Sequence, residues 1–175
     1  MVKVSDPLDE LMTCRLESAR KEVEPCTIII FGASGDLTAR KLIPAVYHLY
    51  MEKQMPGDFR IVGCARREKT DASWCQELRE AMDQFSRTQP VDDKTWTEFS
   101  KNLSYCRGDI CESATYKKLA RHLKQFGNPK LCHNLLFYLA VRPTQFSEVA
   151  THLDDSGLLS PGDQGLSWQR LVVEK

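Results

Sequence analysis

Residues 27–37 read TIIIFGASGDL, and this segment decides the fold. A run of β-branched and aromatic residues that stops at a glycine is typical of a short, fully buried strand in a parallel sheet. Gly32 permits a tight turn, and its missing side chain lets the backbone approach a bound phosphate. The helix predicted after this turn directs free N–H groups and the positive end of its dipole at the same place. The segment therefore predicts a binding site for a nucleotide diphosphate.

The glycine motif of this turn is shorter than the usual dinucleotide fingerprint. That fingerprint is G-x-G-x-x-G, whereas Gly32 and Gly35 form G-x-x-G with Ala33 and Ser34 between them. A glycine pair after a strand also occurs in turns that bind nothing. The rest of the chain must decide between the two interpretations.

Predicted helices and strands alternate along the rest of the chain. Asp36 can cap a helix that runs to about Lys53, which Pro44 should bend near Arg40. Because helices that connect strands form right-handed crossovers, we expect an α/β fold, Rossmann-like and doubly wound, with a mainly parallel sheet and helices on both faces. Further strands are predicted at 59–64, 103–108, 134–140 and 171–173, the last of them buried, and further helices at 71–85, 94–101, 113–126 and 144–155. The helix at 71–85 should bury Trp74, Leu78, Met82 and Phe85.

The second strand ends in residues that indicate which coenzyme is bound. NAD enzymes place a carboxylate there for the adenosine ribose, whereas this chain has Arg66 and Arg67. A guanidinium suits the 2′-phosphate of NADP by its charge and its bidentate geometry. The alternative is that both arginines are solvated loop residues. Together with the glycine turn, the pair predicts NADP as the cofactor, with Arg66 as the stronger candidate.

The composition argues against several classes of function. Twenty-four basic residues balance 24 acidic ones, so nucleic acid and anionic membranes are not expected partners. The longest uncharged run, residues 25–35, is too short to cross a bilayer, and the charged N-terminus has no signal-peptide core. The seven cysteines include no C-x-x-C pair, which predicts reduced thiols in a cytoplasmic protein and no metal site.

The four histidines are not candidates for a general base, which must reach the reacting proton. His48, His122 and His152 fall on predicted helices, and His133 falls in a predicted loop before a strand. None of these positions lies at the predicted ligand-binding edge. We expect structural or surface roles for all four.

The predicted domain organisation has two parts. Residues 1–25 form a leading extension with an amphipathic helix at 7–22, and residues 26–175 form the Rossmann-like domain. The sequence stops at the tip of a predicted strand. We therefore expect the chain to be the first part of a longer protein, truncated before its C-terminal part.

Four motifs, in matching order and spacing, resemble the glucose-6-phosphate dehydrogenase family. They are GASGDLT at 32–38, IVGCAR at 61–66, LFYLA at 136–140 followed by Pro143, and WQR at 168–170 followed by VVEK at 172–175. The resemblance covers the chain from about residue 27 to the end and leaves out the first 25 residues. It implies the coenzyme domain of an enzyme that oxidises glucose 6-phosphate to 6-phosphogluconolactone with NADP, at the entry of the pentose phosphate pathway.

The resemblance also implies roles for residues at matching positions. Arg66 would hold the 2′-phosphate, Tyr138 and the backbone around Ala140 would border the nicotinamide, and Lys175 would reach both the nicotinamide and the sugar substrate. The residues implied to line the pyrophosphate are Gly32, Ala33, Ser34, Gly35, Asp36 and Leu37.

The chain departs from the family pattern in two ways. It has Arg142-Pro143 where the family usually has two prolines. The family's general base, its aspartate partner and its large antiparallel domain would lie beyond Lys175, so this chain contains no expected catalytic residue and should be inactive alone. The full enzyme is expected to be a homo-oligomer that binds glucose 6-phosphate.

Two other classes were compared with this one. Short-chain reductases use a tyrosine four residues before a lysine, and none of the five tyrosines here has that spacing. The hypothesis of a short-chain reductase is therefore weak. A stand-alone, non-catalytic NADP-binding module, which would need no base, remains the alternative.

Overall fold

A computed structural model of the chain describes residues 23–86, 90–159 and 167–174. The predicted leading helix at 7–22 and the candidate Lys175 lie outside these residues. Five strands form one sheet in the order β3-β2-β1-β4-β5, and every pairing is parallel. The strands are β1 (Cys26–Phe31), β2 (Phe59–Ala65), β3 (Leu103–Arg107), β4 (Leu135–Leu139) and β5 (Gln169–Val173). The predicted parallel α/β sheet is confirmed.

The helices connect these strands in the expected alternation. A π-helical turn, Thr38–Leu42, leads directly into the first α-helix, and short 3-10 turns at Lys124–Phe126 and Pro143–Gln145 flank two others. The α-helices are α1 (Ile43–Met51), α2 (Asp71–Phe85), α3 (Asp93–Ser100), α4 (Ser113–Leu123), α5 (Pro129–His133) and α6 (Phe146–Asp155).

The central strand β1 is buried because helices cover both faces of the sheet. Ile30 packs into a core that α1, α2 and α3 build with β2 and β3. Ile29 and Phe31 point the other way, into a core built with α4 and α6. All three side chains have at most 1% exposure, which explains why the strand reads as a continuous apolar run rather than an alternating one. The doubly wound arrangement is confirmed.

The start of the first helix differs from the prediction. Asp36 is already helical and forms an exposed ion pair with Arg40 at 3.2 Å instead of capping the helix. Pro44 has no N–H to offer Arg40, and the turn before it widens, so that the Ile43 amide donates to the Thr38 carbonyl five residues back. The irregularity expected near Arg40 is therefore a π-helical turn.

Three further expectations about local structure are wrong. Phe85 is 38% exposed rather than buried, and the Arg40 guanidinium lies 4.6 Å from its ring centroid. His133 lies in the helix α5 and not in a loop, because Pro129 fits the first turn and the Asn128 side chain caps the Lys130 amide. In β5, Leu171, Val172 and Val173 are 37–43% exposed, since this strand pairs with β4 alone among the described residues.

The cysteines contribute to packing. The six within the described ranges are free thiols, and Cys26, Cys64 and Cys106 are buried. Cys64 and Cys106 are register partners on β2 and β3. In those ranges no helix is long and apolar enough to cross a bilayer, and no group of three or more His, Cys, Asp or Glu side chains could hold a metal ion.

Replacing Gly63 with alanine should lower the stability of the fold. A Cβ at this position in β2 would lie 2.5 Å from the Trp74 ring and 2.8 Å from the Ala33 Cβ. Because the core is closely packed, we expect Gly63→Ala to reduce the free energy of unfolding in urea by about 1–3 kcal/mol. Gly57→Ala is the matched control, because nothing lies within 4 Å of its added Cβ. Equal midpoints and slopes for the two variants would contradict the packing argument.

Candidate functional site

The glycine turn after β1 is fastened to the end of β2. The amides of Gly32 and Ala33 both donate to the Cys64 carbonyl, at 3.0 and 3.2 Å, and the Gly35 amide donates to the Gly32 carbonyl at 2.9 Å. Gly32 has φ +87°, a backbone conformation that glycine adopts without strain. The turn is thus held in one conformation by its own backbone.

Two side chains donate hydrogen bonds to the backbone carbonyls of this turn. The indole N–H of Trp74 donates to the Ala33 carbonyl at 3.2 Å, and the Thr38 hydroxyl donates to the Gly32 carbonyl at 3.3 Å. Trp74 is only 1% exposed and occupies the space left by the missing side chain of Gly63. The sequence predicted Trp74 only as a core residue. A glycine inside a strand can mark the close approach of another group. Gly63 was therefore the sequence signal that could have indicated the position of Trp74.

Gly32 also lies against the end of β4. A Cβ at Gly32 would be 2.1 Å from the Ala140 carbonyl oxygen, and the Ala140 amide donates to the Phe31 carbonyl at 2.9 Å. Besides the tight turn and the phosphate approach expected from the sequence, this contact is a further reason for glycine at position 32. The contact brings together the turn predicted for the pyrophosphate and the backbone predicted for the nicotinamide.

Ser34 has hydrogen-bonding groups without partners in the part of the chain that the structure describes, and the next residue, Gly35, is exposed. Within the described residues, neither the amide nor the hydroxyl of the half-buried Ser34 has a hydrogen-bond partner. Gly35 is exposed, and a Cβ there would meet only the Gly32 carbonyl oxygen, at 3.0 Å. Leu37 is half-buried just before the π-helical turn, whereas the Asp36 carboxylate is turned to Arg40. The turn therefore offers donors of the kind that an anion needs.

Arg66 follows the last residue of β2 and extends into solvent. Its side chain is 79% exposed, and its ion pair with Asp109 is long, at 4.0 Å. The neighbouring carboxylate Glu68 is held by Arg107 at 3.0 Å. Arg66 is thus a cation with only a weak partner, at the same edge of the sheet as the glycine turn.

The side chain of Tyr138, in β4, is hydrogen-bonded to Glu174, the residue that follows β5. Its hydroxyl donates to the Glu174 carboxylate at 2.9 Å, and partial burial together with this hydrogen bond raises the pKa of the phenol. Glu174 was not among the predicted site residues, although it belongs to the VVEK motif and directly follows β5. Since all strands are parallel, Gly32, Arg66, Ala140 and Glu174 follow four strand ends at one edge of the sheet.

The sequence matches a known protein family over most of its length. The family model described as "Glucose-6-phosphate dehydrogenase, NAD binding domain" matches residues 29–175. The chain belongs to the glucose-6-phosphate dehydrogenase family. The resemblance expected from the four motifs is confirmed.

Several relatives show how much of this family's length the chain represents. The glucose-6-phosphate 1-dehydrogenase of Chlamydia pneumoniae is 40% identical over 156 residues, which are 86% of this chain and 30% of that protein. The Caenorhabditis elegans protein of the same name is 30% identical over 178 residues, 98% of this chain and 33% of its own. The chain thus spans about a third or less of these curated relatives.

Solved structures of glucose-6-phosphate dehydrogenases have the same fold. A structure of the enzyme in complex with its substrate glucose-6-phosphate superimposes with a TM-score of 0.71 at 31% identity, covering 86% of this chain and 30% of that one. The Mycobacterium avium enzyme gives a TM-score of 0.70 at 26% identity, covering 85% of this chain and 29% of that one.

Three of the four histidines contact residues outside the candidate site. His48 pairs with Glu52 at 3.0 Å. The Nε2 of His122 is hydrogen-bonded to the Ser104 hydroxyl at 2.9 Å, and burial lowers the pKa of this imidazole. His152 packs against a tyrosine ring with centroids 5.0 Å apart. These contacts support the structural roles predicted for them.

Substituting Gly32 should cost more stability than substituting another glycine that also has a positive φ. Gly127 has φ +70°, close to that of Gly32, but nothing lies within 4 Å of a Cβ built on it. Gly127→Ala should therefore cost about 1–2 kcal/mol of unfolding free energy, the usual cost of a left-handed alanine. Gly32→Ala adds the overlap with the Ala140 carbonyl and should cost about 3 kcal/mol or more. Urea unfolding of both variants measures the difference, and equal losses would exclude a role for the Ala140 contact.

Proposed function

We propose that this chain binds NADP in preference to NAD, as the coenzyme domain of an enzyme that oxidises glucose 6-phosphate to 6-phosphogluconolactone. In this proposal, residues 26–175 are the binding domain and residues 1–25 are a leading extension. The observation that carries it is the glycine turn held against Ala140, with the exposed Arg66 at the end of the neighbouring strand. Membership of the glucose-6-phosphate dehydrogenase family supports the proposed substrate.

The residues of the glycine turn fit the pyrophosphate of a dinucleotide. Ser34 has an amide and a hydroxyl with no partner among the described residues, and both can donate to phosphate oxygens. Gly35 is exposed and has no side chain, so a phosphate can approach its backbone. The helix that begins after the turn adds the positive end of its dipole. We propose that residues 32–37 line the pyrophosphate in this way.

The end of β2 fits a 2′-phosphate better than a free ribose hydroxyl. The first residue after the strand is Arg66, and of the nearby carboxylates Glu68 is paired with Arg107. Asp109 lies 4.0 Å from the Arg66 guanidinium, a distance at which a phosphate can displace it. A guanidinium binds a phosphate through two parallel hydrogen bonds. This is why we propose NADP rather than NAD.

The other ends of the strands are proposed to hold the reacting part of the coenzyme. Tyr138 and the backbone of Ala140 would border the nicotinamide, and the hydrogen bond to Glu174 fixes the orientation of the Tyr138 ring. Lys175 is proposed to contact both the nicotinamide and the sugar. When bound, NADP supplies the acceptor for a hydride from C1 of glucose 6-phosphate. We propose that the general base lies outside these 175 residues, so that this chain alone is inactive.

The remaining proposals concern the whole protein. We propose that the full enzyme is a cytoplasmic homo-oligomer that acts at the entry of the pentose phosphate pathway. These proposals rest on membership of the family, and they extend beyond the part of the relatives that this chain spans.

Arg66→Ala should weaken NADP far more than NAD. Loss of a charge-assisted contact with the 2′-phosphate should reduce NADP affinity by about 10- to 100-fold and leave NAD within about twofold. Calorimetric titration of both coenzymes at fixed salt measures this. Arg121→Ala, which removes an exposed arginine of α4, is the control and should change neither affinity. Equal losses for the two coenzymes in Arg66→Ala would exclude the proposed role.

The chain alone should bind NADP without reducing it. With saturating glucose 6-phosphate, we expect no formation of NADPH above the rate without protein, because the general base is proposed to lie outside these 175 residues. The absorbance of NADPH follows the reaction, and the titration above shows on the same sample that the coenzyme is bound. Sustained formation of NADPH would contradict the proposal that the base lies elsewhere.

A further inference from the structure

Tyr105 is a buried residue of β3 whose hydroxyl reaches across to the end of β2. It donates to the Arg67 carbonyl at 2.8 Å and lies 3.3 Å from the Ala65 carbonyl. These two residues flank Arg66 on either side. The phenol therefore holds the backbone on both sides of the proposed 2′-phosphate ligand, although it does not touch that side chain.

The position of Tyr105 is itself fixed. Its backbone amide donates to the Asp71 carboxylate at 2.6 Å, and its side chain is only 8% exposed. Its ring lies against Trp74 with centroids 5.6 Å apart. Trp74 in turn donates to the Ala33 carbonyl in the glycine turn. One buried aromatic pair thus contacts both loops of the proposed coenzyme site.

We infer that Tyr105 is a positioning residue for coenzyme specificity, because its hydroxyl fixes the loop that presents Arg66 to the 2′-phosphate. This inference rests on the proposed function, namely NADP binding at this edge of the sheet.

The physical reason is the exposure of Arg66. Its side chain is mostly in solvent and has only the long contact with Asp109, so its own partners do not order it. Binding to a phosphate then requires that the backbone beneath it be ordered in advance, since ordering a loop during binding reduces affinity. NAD has no 2′-phosphate and does not gain from an ordered Arg66. Loss of the Tyr105 hydroxyl should therefore reduce affinity for NADP selectively.

The test is a double-mutant cycle of Tyr105→Phe and Arg66→Ala, titrated with NADP and NAD. Tyr105→Phe should weaken NADP by about fivefold, which corresponds to one hydrogen bond of about 1 kcal/mol, and should leave NAD within about twofold. In the Arg66→Ala background, the same substitution should have no further effect on NADP, because the residue it positions is gone. A hydroxyl that only stabilises the fold would weaken both coenzymes equally in both backgrounds.

Thr27→Val is the matched control. It removes a buried hydroxyl that donates to the Leu131 carbonyl at 2.6 Å, at the opposite end of β1. It should lower the thermal midpoint, as Tyr105→Phe should, and leave the ratio of NADP to NAD affinities unchanged. A change of that ratio in Thr27→Val as large as in Tyr105→Phe would overturn the inference.

The outcomes separate this inference from the proposed function. If the unsubstituted chain binds neither coenzyme, or binds both equally, the proposed preference for NADP fails and the inference fails with it. If that chain prefers NADP and Tyr105→Phe keeps the full preference, only the inference fails.

Hydrogen exchange on the unsubstituted chain tests the same coupling without a variant. Adenosine 2′,5′-bisphosphate should slow amide exchange both in residues 65–68 and around Tyr105, whereas 5′-AMP should slow neither to the same degree. Protection confined to 65–68 would overturn the inference.

Discussion

The close contact between the Gly32 backbone and the Ala140 carbonyl is the constraint on which the candidate site depends. It exists because β1 and β4 are parallel neighbours and the chain turns away from both at the same level of the sheet. The turn is then tied to β2 through the Cys64 carbonyl. Backbone contacts alone thereby hold the ends of β1, β2 and β4 in fixed positions relative to one another.

The order of the strands makes this edge of the sheet a topological switch point. The chain proceeds from β1 to β2 and β3 on one side, then returns across the sheet to β4 and β5 on the other. The connections after β1 and β4 thus lead to opposite sides, and a ligand can enter between them. The aromatic residues Trp74 and Tyr105 fill the space beneath this edge and contact the two loops after β1 and β2. The candidate binding residues on these loops are in this way supported by buried core residues.

Much of the fold could be predicted from the sequence because the strongest signals were local. The apolar run before Gly32 and the alternation of strands and helices were enough for the sheet, its parallel pairing and its two covered faces. Arg66 could be singled out because it directly follows a strand. These features depend on neighbours in sequence, and hydrophobic periodicity detects such neighbours.

The supports of the site could not be predicted because they depend on contacts between distant residues. The hydrogen bond from Trp74 to Ala33 joins positions 41 residues apart, and that from Tyr105 to Arg67 joins positions 38 apart. The exposure of Phe85 also depends on which helix face meets the core, and in this case the tertiary packing overrode the helical pattern. Pairings of this kind become visible only in three dimensions.

The space shared by Gly63, Trp74 and Ala33 has a consequence for how this domain can diverge. The indole fits only because position 63 has no side chain, and it meets the small side chain of Ala33 directly below the turn. A larger residue at position 63 or 33 requires a smaller one at position 74, so the three positions should be inherited as a set. In evolutionary terms we expect epistasis at these three positions, with substitutions tolerated in combination and destabilising one at a time.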